Sequence, residues 1–356
     1  DYERDGVLIR TPDEMTKGQV RKRINQPKFG SILAESKAWA DILDCRFISD
    51  LNRINKEHAM GDLIRISEGL QEKRIAQIAD HIAAHRENIR LILIAGPSSS
   101  GKTSFAQRLR IQLRVNGLRP VMISLDDYFL NRADTPLNEK GQYDYESIDA
   151  LDTKLFNENM IQLLAGQEVQ IPRYNFITGM REWKEDAFFS IDSDQPIIIE
   201  GIHGLNEYLT KDIPRINKYK IYISALTQLN IDAHNRIPTT EVRFLRRLVR
   251  DYQFRGAKAL KSIRQWPDVR AGEEKYIFPF QEEADVLFNS ALIYEIGVLK
   301  AYAVPLLSEI TQGEEGYTEA RLILRFLQYV DEIDVVDDIP NNSILREFIG
   351  KSVFFS

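Results

Sequence analysis

The chain has 356 residues, 43% of them hydrophobic, with a formal net charge of −6 and a single cysteine. Such a length accommodates about two domains, and the negative balance excludes the global basic field behind nonspecific nucleic-acid binding. One cysteine excludes an internal disulfide, so Cys45 is expected to be inert core. No apolar run reaches the roughly 18 residues of a bilayer span, and the N-terminus lacks a signal-peptide pattern. A soluble, cytoplasmic protein without a membrane partner is therefore expected, and a start at Asp1 rather than methionine suggests further residues upstream.

Residues 1–66 carry mixed signals, with Pro12 and Pro27 as breaks and a helix expected over 32–43. From 67 to 90, apolar Leu70, Ile75, Ile78 and Ile82 predict a helix leading into the next strand. His81 and His85 share one face of it, but a zinc site needs three or four ligands, so they read as partly exposed helix histidines.

Residues 91–110, LILIAGPSSSGKTSFAQRLR, organise the chain. An apolar run of strand length, 91–95, meets Gly96, Pro97, Ser98, Ser99, Ser100, Gly101, Lys102, Thr103 and Ser104, after which Phe105, Leu109 and Leu113 recur at helical spacing. Strand, glycine loop and helix in this order form a nucleotide phosphate cradle. The glycines let successive N–H groups turn inward, and the helix N-terminus adds positive potential. Lys102 is expected on the terminal phosphates of ATP or GTP, and Thr103 on a bridging Mg2+. The same cradle serves kinases, switches and motors, so the use of the nucleotide stays open at this point.

Gly117 supplies a helix stop, and 120–125 reads as the next parallel strand, ending in Asp126 and Asp127. Ligands bind beyond the carboxyl ends of such strands, where Asp126 could take a proton from an attacking hydroxyl or help hold magnesium. Tyr143, Asp144 and Tyr145 suit a sugar or base pocket, and a helix follows over 152–165. Residues 169–176, with Pro172 and Tyr174, read as an edge strand. Residues 196–200 read as a second buried strand whose Glu200 would anchor the metal, and further strands are expected at 218–225 and 284–288. In 241–256, Arg243, Arg246, Arg247 and Arg250 fall within one narrow arc, with Val242, Leu245, Leu248 and Val249 opposite. Guanidinium groups suit bidentate phosphate contacts, so we read a mobile phosphate-covering lid, Arg255 included. Residues 290–310 and 317–333 read as structural helices, and the tail, with apolar 344–348, is expected to dock back.

With GPSSSGKT, SLDDYF at 124–129, QYDYESID at 142–149, IPRYNF at 171–176, IIIEG and the arginine helix in order, the chain resembles the uridine kinase and phosphoribulokinase group across 91–288. The resemblance implies a P-loop α/β fold with a doubly wound, mostly parallel sheet and helices on both faces. It implies Asp126 as catalytic base with Lys102, ATP and Mg2+ as cofactors, and Thr103 and Glu200 on the metal. Arg246, Arg250 and Arg255 would touch the phosphates, and Asp144, Tyr174, Arg181 and Arg243 the acceptor. Gly179 stands where uridine kinases carry a pyrimidine-contacting histidine, and Asn175 replaces a usual aspartate. Residues 39–52 resemble the end of a threonyl-tRNA-synthetase-like region that precedes the kinase domain in a bacterial subgroup.

We therefore expect an N-terminal α+β module at 1–66, a kinase domain at 67–310 with a lid around 240–275, and a helical extension at 311–356. The leading reading is a nucleoside kinase. Alternatives are a kinase of another small alcohol, such as a sugar phosphate, or a nucleotide-dependent switch or RNA-associated factor that would recognise nucleic acid through the N-terminal module. Homo-oligomerisation is left open.

Overall fold

The computed structural model describes residues 9–12, 18–20, 22, 24–138, 141–183 and 188–355, and the backbone of 2–3 and 6–7. Its centre is β1, Leu91–Ala95, which is buried on both faces as its unbroken apolar run requires. Leu91 and Leu93 enter one apolar cluster and Ile92 and Ile94 another, following the two-residue period of a strand. Burying each such side chain contributes about 1.5–3 kcal/mol. β2 (Val121–Ser124), β3 (Ile197–Glu200), β4 (Lys218–Ser224) and β5 (Val286–Asn289) complete a parallel five-stranded sheet in the order β5-β4-β1-β3-β2.

Helices α1 (Pro27–Ile42), α2 (Ile48–Lys56) and α3 (Met60–Ala84) precede the sheet, and α4 (Lys102–Val115) leaves the loop after β1. They are followed by α5 (Thr153–Leu164), α6 (Thr239–Arg255), α7 (Ala259–Tyr276), α8 (Glu295–Ser308), α9 (Tyr317–Leu327) and the short α10 (Arg346–Ile349). Phe156, Met160 and Leu163 of α5 cover one face of the sheet, and α3, α4, α6 and α8 cover the other. This is the expected α/β architecture with helices on both faces. Asp152 caps α5 by accepting from Leu155 N at 3.0 Å, as its short acceptor side chain favours.

Three expectations change, one being that the helix expected over 317–333 ends at Leu327. Residues 169–176 are not one strand: Val169–Gln170 pairs with Phe188–Phe189, and Arg173–Asn175 forms a hairpin with Met180–Glu182, both outside the main sheet. Pro172, which has no N–H to give a ladder, falls at the break. The helix expected from residue 67 begins at Met60 and crosses residues 66 and 67 without interruption. The tail docks as expected, with Ile344, Leu345, Phe348 and Ile349 buried in the largest cluster. Cys45 is buried and its thiol pushed up to about 12, foremost by burial, so it is inert at neutral pH. No described helix is long and apolar enough to cross a membrane.

Candidate active site

β1 delivers the chain to Gly96, between neighbours that lead in opposite directions along the sheet, where open parallel sheets bind ligands. A Cβ on Gly96 would collide with the Ile223 carbonyl of β4, so only glycine can turn there. Ser99 and Gly101 then take φ of +59° and +82°, and Gly101 is the N-cap of α4. Lys102 Nζ arches back over the loop and donates to the carbonyl oxygens of Gly96 at 3.0 Å and Pro97 at 3.3 Å.

β3 lies between β1 and β2, and its last residue, Glu200, sits in register with Ile94 and Ser124. Thr103 Oγ1 donates to Glu200 Oε1 at 3.1 Å. Burial, followed by the carboxylates of Asp126 and Glu347, pushes Glu200 up to about 7 against the pull of Lys102. A hydroxyl beside a carboxylate with that charge penalty fits a hard divalent cation, which would relieve it. Among the described residues no cluster of three or more His, Cys, Asp or Glu side chains forms a metal cage. An ion here would draw its other ligands from phosphate and water, the habit of Mg2+. The described residues likewise give His81 and His85 no third ligand; His85 Nδ1 instead lies 2.8 Å from the His81 carbonyl oxygen.

Asp126 follows β2 in a short 3-10 turn, Leu125–Tyr128, opened by Ser124 Oγ accepting from Asp126 N at 3.2 Å. Its side chain opens onto the cleft, yet protein surrounds it closely enough that desolvation raises its pKa, opposed by Lys102 and Arg255. No described residue hydrogen-bonds its carboxylate, which leaves both oxygens free for a substrate.

The arginine helix divides in a way its periodicity does not show. Arg243, expected on the acceptor, is only 1% exposed and pairs with Glu273 of α7 at 2.5 and 2.8 Å while donating to Ser98 O at 3.2 Å. Arg246, expected on the phosphates, is fully buried, pairs with Glu295 of α8, and donates to Ser99 O and Ser290 O. Both hold the loop through its carbonyl oxygens, because α7, α8 and α10 pack against α6 and enclose more of it than one apolar stripe implies. Arg250 bonds Asp251 Oδ1 at 3.1 and 3.0 Å, and the more exposed Arg255 pairs with Asp251 at 3.3 Å while its charge reaches Asp126. Arg247, expected only as part of the phosphate-covering arc and given no individual contact, donates from Nη1 to Ser98 Oγ at 3.0 Å.

The acceptor side is rearranged too. Asp144 accepts from the Tyr276 hydroxyl at 2.9 Å and from Glu146 N at 3.2 Å, so it ties its loop to α7 and is not a free carboxylate. Glu146, two residues on, lies within electrostatic reach of Lys102 and Arg247, and burial followed by Glu273 pushes it up to about 7. Two acids of one loop give no sequence signal for which turns inward. Arg181, expected on the substrate, donates to the carbonyl oxygens of Tyr128 and Phe129 and pairs with Asp152 at 3.0 Å, so it braces the Asp126 segment. Tyr174 does line a cavity of about 290 Å³, with Phe129, Arg132, Tyr145 and Phe176. Gly179 turns at φ +71°, and a Cβ there would lie 2.7 Å from the Arg132 guanidinium, so a side chain at this position would be strained and would have to displace Arg132. His203 is buried and pushed down to about 4 by desolvation. Its nitrogens lack partners at strict hydrogen-bond geometry, although the Glu146 and Ser147 backbone lies close enough to oppose that shift; it is a neutral packing residue.

Comparison with known proteins agrees with this arrangement. A uridine kinase of Chloroflexus aurantiacus is 32% identical over 199 residues, 56% of this chain and 85% of its own. Uridine-cytidine kinase A of Dictyostelium discoideum is 28% identical over 280 residues, 76% of this chain and 51% of its own. A uridine kinase of Halobacterium salinarum is 27% identical over 223 residues, 62% of this chain and 86% of its own. The family model described as Phosphoribulokinase / Uridine kinase family matches residues 91–295, from the first residue of β1 to the acid that pairs with Arg246. The chain belongs to the phosphoribulokinase/uridine kinase family of ATP-dependent kinases.

Proposed function

We propose that the protein transfers the γ-phosphoryl group of ATP to the 5′-hydroxyl of a nucleoside. The observation that carries this reading is Asp126, a carboxylate without a hydrogen-bond partner among the described residues, opening onto the cleft within the field of Lys102. Asp126 accepts the hydroxyl proton as the acceptor oxygen bonds to the γ-phosphorus, and the bond to the bridging oxygen breaks to release ADP. Lys102 and the loop N–H groups hold the phosphates, Arg247 and Arg255 offset developing charge, and Glu146 accepts from an acceptor hydroxyl. Thr103 and Glu200 would hold Mg2+, which screens the phosphate charges. Helix α6 acts as a fixed wall of the cleft and not as the expected moving lid, because Arg243 and Arg246 fasten it to α7 and α8. The expected boundary at 66/67 falls inside α3, so the helices before β1 and the 311–356 segment act as supports of the catalytic core.

One observation favours a second acceptor class, a small alcohol bearing an anionic group. Arg132 lies at the aromatic cavity, and among the described residues no carboxylate is within ion-pair distance of it. ADP formation measured with a panel of nucleosides, ribulose 5-phosphate and no acceptor separates the readings. Turnover with a nucleoside supports the first and with the sugar phosphate the second; ATP binding without acceptor-dependent turnover contradicts both.

A further inference from the structure

The helix that presents the phosphate loop is engaged by a carboxylate from 243 residues further along the chain. Glu347 Oε2 accepts from the Ser104 backbone N–H at 3.2 Å and from the Ser104 hydroxyl at 2.7 Å. Ser104 is the third residue of α4, and its N–H is one of the first-turn donors that find no acceptor within a helix. Such donors, at the positive end of the dipole, are what a phosphate loop offers to the phosphates nearest the ribose.

The carboxylate is delivered by a firmly held segment. Arg346 Nη2 donates to the carbonyl oxygens of Val336 and Ile339, both at 2.8 Å. The Phe348 ring lies 5.0 Å from the Arg246 guanidinium carbon, and Ile344 fills the space toward which a Cβ on Gly101 would point. Within residues 343–349 all side chains are buried except that of Glu347, which is half-buried. Among the described residues it has no ion-pair partner, and its charge reaches Glu200. A carboxylate so placed, bonded only to donors that a phosphate would use, stands where like charge cannot also bind.

We propose that Glu347 is a built-in competitor for the nucleotide: a nucleotide phosphate takes the Ser104 donors by displacing the Glu347 side chain, while the anchored segment stays in place. Glu347 thereby sets nucleotide affinity from the far end of the chain. The inference rests on the phosphate-loop reading of residues 96–104 but not on the identity of the acceptor.

The test is calorimetric titration of ADP, without divalent metal, into the wild type and Glu347→Gln, which keeps an oxygen for Ser104 and loses the charge. The expected result is a dissociation constant about 5–10-fold lower in the variant, from removal of like-charge repulsion. An equal or higher constant makes Glu347 a helix cap and overturns the proposal. Failure of both the wild type and Glu347→Gln to bind ADP overturns the phosphate-loop reading itself. A crystal structure of the wild type with ADP gives a check that needs no variant. Ser104 bonded to phosphate, with Glu347 Oε2 beyond about 4 Å, supports the proposal, and both Ser104–Glu347 contacts persisting beside bound ADP overturn it.

Discussion

Asp144 and Glu146 stand two residues apart in one loop, and what each faces decides its chemistry. Asp144 is occupied by the Tyr276 hydroxyl, whereas Glu146 turns among Lys102, Arg247 and Glu273 and is lifted to about 7 by burial. With a folded pKa above the unfolded value, the folded state binds more proton between the two, so this group's contribution to stability is lost as pH rises through about 7. Glu146→Gln should therefore raise the melting temperature more near pH 8 than near pH 5, relative to wild type at each pH. Equal gains at both would show that Glu146 is not a buried acid. The same variant should raise the acceptor KM, since an amide accepts a hydroxyl hydrogen bond more weakly than a carboxylate. Arg247→Ala should lower kcat/KM for ATP by roughly 10–100-fold, the value of one charge-assisted contact, in steady-state assays at varied ATP.

At the scale of elements, α6 is both a scaffold and one wall of the cleft. Arg243 with Glu273, and Arg246 with Glu295, are pairs at most 3% exposed that fasten α7 and α8 to the carbonyl oxygens of the phosphate loop. Removing one partner strands a charge, so Glu273→Ala should cost about 3–5 kcal/mol in urea unfolding; a loss under about 1 kcal/mol would show the pair to be solvated. Gly96→Ala should abolish ATP binding in a calorimetric titration, because its Cβ has no room beside the Ile223 carbonyl. Much of this was legible beforehand. Buried parallel strands are uninterrupted apolar runs, so β1 and β3 announce themselves, and the acids at strand ends fall where ligands bind. The split within the arginine helix was not legible, since periodicity fixes an arc but not what packs on it. Nor was the break at Pro172, because a partner strand such as Met180–Glu182 is too short to carry a pattern of its own.

At the scale of the whole molecule, one apolar cluster runs from Ala40, Cys45 and Ile48 near the N-terminus through Phe105 and Leu248 to Ile344 and Phe348. The edge strand β5 is covered by α1, where Asn289 Nδ2 donates to Ser36 Oγ at 2.7 Å and Lys28 Nζ to Ala284 O at 2.5 Å. Covering an edge in this way blocks pairing with a second chain, and it ties the N-terminal helices to the sheet that carries the loop. The segments outside the family match thus contribute to the body of the molecule. Helix α3 packs on α4 through Glu72, which accepts from Arg108 at 3.0 and 2.6 Å, and the C-terminal segment reaches α4 through Glu347. The phosphate loop is therefore braced from both ends of the chain. In the proposed reaction Asp126 takes the acceptor's proton. The most direct test compares acceptor-dependent ADP formation and ATP affinity in the wild type and Asp126→Asn. A fall in kcat of about 10²–10⁴-fold with ATP affinity retained is the predicted result, and full turnover in the variant would contradict the account.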